Sequence, residues 1–132
     1  MKHFFPACAG ILLLAAWGCS GAMQGVVRED AKRVPFNYTH GVIGTGDIVA
    51  VMPDGERFEG RLTEAGAPGS TDSSSSYAAV DPLIGNADAM LYGNRGSTMK
   101  CRFRMADTII GLAGGGFGIC QVSDGRVIDI FF

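Results

Sequence analysis

Residues 97–105, STMKCRFRM, show the clearest strand pattern of the chain. Apolar side chains alternate there with basic ones over seven residues: Met99, Cys101, Phe103 and Met105 are separated by Lys100, Arg102 and Arg104. Strict alternation is typical of a half-buried β-strand, because successive side chains of a strand point to opposite faces. The pattern therefore predicts a strand with an apolar face, which carries Cys101, and a basic face.

Two further stretches predict β-hairpins. Alternating runs flank Asp54-Gly55 in residues 46–64, GDIVAVMPDGERFEGRLTE, and flank Asp124-Gly125 in residues 117–132, FGICQVSDGRVIDIFF. An Asp-Gly pair between alternating runs is a strong hairpin signal. No clear helical period accompanies these runs, so we predict an all-β domain, a small antiparallel barrel or sandwich of about six short strands.

The N-terminal residues have the features of a secretory signal. A short basic start, Met1-Lys2-His3, precedes the apolar stretch Phe4–Trp17 and the small residue Gly18. A basic start, a short apolar core and a small residue before the cut are typical of cleaved signals. An uncleaved anchor helix is the alternative, but the stretch is shorter than the about 20 residues that a membrane span needs.

The end of this stretch resembles a known family motif. Residues 16–19, Ala-Trp-Gly-Cys, are similar to the lipobox of bacterial lipoproteins, although Ala16 stands where Leu is usual. The resemblance implies that signal peptide 1–18 is removed, that Cys19 receives a diacylglycerol thioether, and that its new amino group is acylated, typically with palmitate. It also implies sorting to the outer membrane of a Gram-negative cell, because Ser20 and not Asp follows the cysteine. Several acyl chains anchor a protein stably.

The rest of the chain resembles a set of small proteobacterial lipoproteins for which no activity is established. Three stretches carry the resemblance: Gly46–Glu64, Leu91–Asp107 and Gly114–Phe132. It implies an envelope location facing the periplasm and a small β fold, but no function.

These observations predict three parts of the chain. Residues 1–18 are the signal peptide, residues 19–40 are a lipidated N-terminus and tether, and residues 41–132 are the β domain. Within the domain, residues 65–76, AGAPGSTDSSSS, contain almost nothing that a core can bury, so we predict a mobile loop there.

The cysteines point to one disulfide. Cys8 lies in the signal and Cys19 is the lipid acceptor, which leaves Cys101 and Cys120. Two cysteines in an oxidising periplasm favour a disulfide that stabilises the fold by about 3 kcal/mol. A metal site is a poorer explanation because His40 is the single histidine after the signal and no Cys-x-x-Cys occurs. We expect no metal and no cofactor besides the covalent lipid.

No motif predicts catalysis. The chain lacks Gly-x-Ser-x-Gly, His-Glu-x-x-His and phosphate-loop patterns. Asp54 and Asp124 are explained by turns, and we assign Glu56 and Glu59 to solvent. The formal net charge of −2 gives no case for a nucleic-acid partner. The prediction is a non-enzymatic protein.

The basic residues in and beside the predicted strand 97–105 are the candidate binding face. Arg95, Lys100, Arg102 and Arg104 lie within ten residues of one another. A solvated strand face is the simpler explanation, and a cationic stripe for an envelope protein or an anionic envelope component is the functional one. Tyr92 and Phe117 are candidate aromatic anchors beside it.

The predicted function is therefore binding or scaffolding at the outer membrane. The alternative is a periplasmic inhibitor of a cell-wall or host hydrolase, which would act through a protruding loop, either Ala65–Ser76 or Gly111–Gly118. The partner and the oligomeric state are left open by the sequence.

Overall fold

The structure is a computed structural model that describes residues 20–40, 45–64, 79, 86–107 and 109–132. The predicted signal peptide 1–18, Cys19 and the predicted loop 65–76 lie outside the described residues. The strands are β1 (Ser20–Val27), β2 (Arg33–His40), β3 (Thr45–Val51), β4 (Arg57–Glu64), β5 (Ala87–Gly93), β6 (Thr98–Met105), β7 (Gly116–Val122) and β8 (Val127–Phe131). A short 3₁₀ helix, Gly111–Gly114, precedes β7.

The eight strands form a closed antiparallel barrel. Each strand pairs with the next one along the chain, and β8 pairs with β1 to close the sheet. The all-β prediction is confirmed, and the barrel is the correct one of its two alternatives. The strand count was too low, because the two strands before residue 41 were not expected.

The predicted tether over residues 19–40 is wrong. Residues 20–40 supply β1 and β2, which pair from Ser20 with Thr39 to Val26 with Arg33. Their sequence looks like a linker because Gly21 and Gly25 occupy inward positions of β1. A Cβ atom at Gly21 would meet the ring of Tyr38, and one at Gly25 would meet Phe36, so glycine makes room for the aromatic side chains of β2.

The interior of the barrel is filled by the inward side chains of all eight strands. Phe36, Phe58 and Phe103 are the largest fully buried ones. An eight-stranded barrel is just wide enough for side chains to fill. Any contact with a partner is therefore made by the outer wall or by the two ends.

The two ends of the barrel differ in their connections. At one end, which we call the turn end, four short turns join the strands: residues 28–32, 52–56, 94–97 and 123–126. Gly55, Gly96 and Gly125 take positive φ angles of 90°, 89° and 99° in three of these turns, as tight hairpins require. At the other end, the loop end, lie Ser20, the strand ends His40, Thr45, Glu64 and Ala87, the short helix Gly111–Gly114, and Phe132.

Candidate functional site

The predicted basic face is only partly open to solvent. Lys100, Arg102 and Arg104 lie on the outer face of β6, as the alternation predicts. Lys100 is only 6% exposed, however, and Arg102 forms an ion pair with Asp88 at 2.9 Å. Arg104 is exposed and has no ion-pair partner among the residues that the structure describes. Arg95 lies at the turn end, away from Arg104.

Ala79 lies against the outer wall of the barrel beside Lys100. Lys100 pairs with Gln121 across β6 and β7, and the main-chain N–H of Ala79 donates to Oε1 of Gln121 at 2.9 Å. This contact lies between residues 42 positions apart in the sequence, so the strand pattern alone could not reveal it. The four predicted residues therefore do not form one continuous open stripe.

A charged network covers the turn end. Asp54 lies 3.4 Å from Nη1 of Arg126 and 3.9 Å from Nη1 of Arg95, and Arg126 also pairs with Asp124 at 2.7 Å. The main-chain N–H of Glu56 and the guanidinium groups of Arg126 and Arg95 hold the pKa of Asp54 below its usual value, against an opposing effect of desolvation. The charged residues in or beside the four turns are Arg28, Glu29, Asp30, Lys32, Arg33, Asp54, Glu56, Arg57, Arg95, Asp124 and Arg126.

Glu56 was wrongly assigned to solvent. Its side chain is only 3% exposed, and Oε1 accepts hydrogen bonds from the main-chain N–H groups of Arg95 at 3.2 Å and Ser97 at 3.4 Å. A Cβ atom at Gly93 would collide with this carboxylate, so a glycine there makes the space for it. Glu56 thus joins two turns of the barrel, which is a structural role.

The predicted disulfide is confirmed. Cys101 of β6 and Cys120 of β7 are register partners with their Cα atoms 4.0 Å apart, and the structure joins their sulfur atoms. Both residues are fully buried inside the barrel. The bond therefore links two neighbouring strands from within and offers no thiol to the surface.

The loop end carries an exposed apolar group that the sequence analysis missed. Ile109 is 94% exposed and Ile110 is 55% exposed, both in the connection between β6 and β7. Phe117 and Phe131, at 43% and 59%, are register partners on the outer face of β7 and β8 just below that connection. The adjacent isoleucines in a Gly-rich connection were the available signal. We call Ile109, Ile110, Phe117 and Phe131 the apolar rim.

The two predicted aromatic anchors are separated. Tyr92 is 65% exposed and lies near the turn end, where it pairs with Thr98. Phe117 pairs with Arg104 near the loop end. The aromatic side chain that lies beside an open basic residue is therefore Phe117.

The second predicted recognition loop, Gly111–Gly118, offers little protruding surface. Gly111 and Leu112 are buried, and Gly116–Gly118 already belong to β7. Ala113 and Gly114 are exposed but small, and the large exposed side chains of this connection are the preceding pair, Ile109 and Ile110. The other predicted loop, Ala65–Ser76, lies outside the described residues.

A shallow groove runs along the outside of β1, β2 and β3. Its volume is about 670 Å³. The groove is lined by Ser20, Gly21, Ala22, Asn37, Tyr38, Thr39, Asp47 and Val49. Most of these side chains are small or uncharged, and Asp47 is the charged one.

The described part of the chain contains no group of three or more His, Cys, Asp or Glu residues that could hold a metal ion. His40 ends β2. Within the described residues, no helix is long and apolar enough to cross a membrane.

Comparison with known proteins adds no relative. No family model, curated protein or solved structure matches the chain.

Proposed function

We propose that this chain is a lipid-anchored protein of the Gram-negative outer membrane that acts without catalysis, as a binding or scaffolding module facing the periplasm. One observation carries the proposal. The predicted cut before Cys19 falls one residue before β1, which begins at Ser20. Removal of residues 1–18 therefore leaves all eight strands of the closed barrel in place.

The disulfide supports an exported protein. Disulfides form and persist in oxidising compartments such as the bacterial periplasm and are rare in the cytosol. The Cys101–Cys120 bond lies inside the barrel, where its atoms contribute to packing as well as to the covalent link. Export through the N-terminal signal supplies the compartment that this bond needs.

Among the four basic residues of the predicted face, Arg104 is the exposed one that forms no ion pair within the described part of the chain. Lys100 is covered and Arg102 is paired, so their charges add little to the attraction of a partner at the outer wall. Isolated exposed charges contribute weakly to affinity. Phe117, the register partner of Arg104, supplies an apolar contact next to that charge. We therefore place the contact with an anionic envelope component around Arg104 and Phe117.

Lipidation is tested with two cysteine variants of the full chain in a Gram-negative host. Radioactive palmitate should label the native protein and the Cys8→Ala variant, because Cys8 lies in the removed signal. The Cys19→Ala variant should lose the label. Label that persists in Cys19→Ala would contradict the proposal.

The partner contact is tested by crosslinking in living cells. The native protein and two charge reversals, Arg104→Glu and the matched control Arg33→Glu, are compared. Arg33 is also exposed but begins β2 at the turn end. An envelope protein or lipid captured by the native chain and by Arg33→Glu, but lost in Arg104→Glu, supports the assigned contact. Equal capture by all three chains contradicts it.

A further inference from the structure

We propose that the loop end of the barrel rests against the lipid bilayer, with Ile109 and Ile110 inserted among the lipids and with Phe117 and Phe131 at the headgroup level. The occupant of the apolar rim is thus the membrane surface itself. The inference rests on the proposed function only in requiring a membrane-bound N-terminus.

The first argument is the difference between the two ends. Six large apolar side chains are exposed in the described part of the chain, and the four of the apolar rim lie together at the loop end. The charged network of the turn end lies at the opposite end of the barrel, about 25 Å away for strands of this length. Such an apolar cluster on one end of a polar protein marks an interaction site.

The second argument is the path of the chain. β1 begins at Ser20 at the loop end, and Cys19 is its immediate neighbour in the sequence. Consecutive Cα atoms are about 3.8 Å apart, so a lipid on Cys19 leaves no linker between bilayer and barrel. If the signal were not cleaved, the apolar segment Phe4–Trp17 would also be attached to the barrel at this end, through β1. Both N-terminal forms place the bilayer at the apolar rim.

The polar groups of the rim are compatible with a headgroup layer. The carboxylate of Asp107 accepts the main-chain N–H groups of Ile109 at 2.8 Å and Ile110 at 3.3 Å, which satisfies the donors next to the inserted side chains. Arg104 lies beside Phe117, where its long side chain can reach lipid phosphate. The charges of Asp107 and Arg104 cancel, so the contact depends mainly on apolar burial and should change little with salt.

The test measures the depth of each end in a bilayer. Full-length chains with Ile110→Cys or Glu29→Cys are purified, labelled with an environment-sensitive fluorophore, and reconstituted into phosphatidylethanolamine–phosphatidylglycerol vesicles that carry a nitroxide on the upper acyl chain. Both residues are exposed, and Glu29 lies at the turn end as the matched control. The Cys101–Cys120 disulfide leaves no competing thiol in the barrel and also reports that each variant has folded.

We expect the lipid nitroxide to quench the label at position 110 several-fold more strongly than the label at position 29, with little change in high salt. Equal quenching at the two positions overturns the docking proposal. A label at 110 that is shielded from a water-soluble quencher but not quenched by lipid also overturns it, because a protein partner then covers the rim.

The same samples separate this inference from the proposed function. Chains that carry lipid on Cys19 but show equal quenching at both positions leave the lipoprotein proposal standing and refute the docking. If Cys19 carries no lipid, the lipoprotein proposal is refuted, and the quenching is repeated in chains that also carry Cys8→Ser and Cys19→Ser, so that only position 110 or 29 is labelled. Stronger quenching at 110 in these chains then supports the docking.

Discussion

Cys101 and Cys120 face each other across β6 and β7 inside the barrel, with their Cα atoms 4.0 Å apart. The bond closes a segment with a sequence separation of 19 residues, and closure of such a segment stabilises a fold by about 3 kcal/mol in the chain-entropy model. We expect the Cys101→Ala/Cys120→Ala double variant to lose about that much free energy of unfolding in urea titrations. Equal unfolding midpoints for the oxidised wild type and the double variant would show that the bond does not contribute.

Replacement of Glu56 should lower the free energy of unfolding strongly, although the sequence around it is typical of a surface glutamate. In Glu56→Ala the main-chain N–H groups of Arg95 and Ser97 lose their acceptor, so the free energy of unfolding should fall by about 2 kcal/mol. Glu59 is the matched control because it is exposed and pairs only with the exposed Arg57. Glu59→Ala should change the free energy by less than about 0.5 kcal/mol. Similar losses in both variants would refute the role given to Glu56.

Gly60 and Gly125 predict two different costs of adding a methyl group. At Gly125 the Cβ atom meets nothing, but φ is 99°, so Gly125→Ala should cost about 1–2 kcal/mol through the backbone alone. At Gly60 the Cβ atom would collide with the main-chain oxygen of Met90 on β5, which cannot move without separating the strands. Gly60→Ala should therefore cost about 2–3 kcal/mol. Thermal unfolding should show a lower midpoint for Gly60→Ala than for Gly125→Ala. A lower midpoint for Gly125→Ala would contradict this prediction.

Asp54 predicts a pH dependence of stability. The hydrogen bond from Glu56 and the charges of Arg126 and Arg95 lower the pKa of Asp54 in the folded chain, so its carboxylate stabilises the fold above the usual carboxyl pKa. That stabilisation is lost as the pH falls through the lowered folded value. Asp54→Asn should thus be less stable than the wild type at pH 7, and the difference should shrink in acid. A difference that stays constant from pH 7 to pH 3 would exclude this linkage.

The strands with strict alternation could be predicted from the sequence, and β1 and β2 could not. β6 and the hairpin strands β3, β4, β7 and β8 show period-two patterns, because one face of each is buried and the other meets solvent. β1 lacks the pattern because Gly21 and Gly25 fill inward positions that Tyr38 and Phe36 occupy from the neighbouring strand. Only the barrel closure explains why small residues lie there.

The disulfide of the candidate site could be predicted from the sequence, and the burial of its charged residues could not. The pairing of Cys101 with Cys120 follows from elimination among four cysteines and needs no tertiary information. The covering of Lys100 beside Ala79 and the burial of Glu56 depend on contacts between residues far apart in the chain. Local patterns assign both side chains to solvent because charged residues are rarely buried.

Whether Cys19 is lipidated is tested directly by the mass of the N-terminal tryptic peptide of the membrane-bound protein. Arg28 is the first cleavage site after Cys19, so the proposal predicts a peptide of residues 19–28 that carries a diacylglycerol thioether and an amide-linked acyl chain on Cys19. A peptide that begins at His3 and runs through Gly18 to Arg28 without lipid would contradict the account, because the signal would then be retained and Cys19 unmodified.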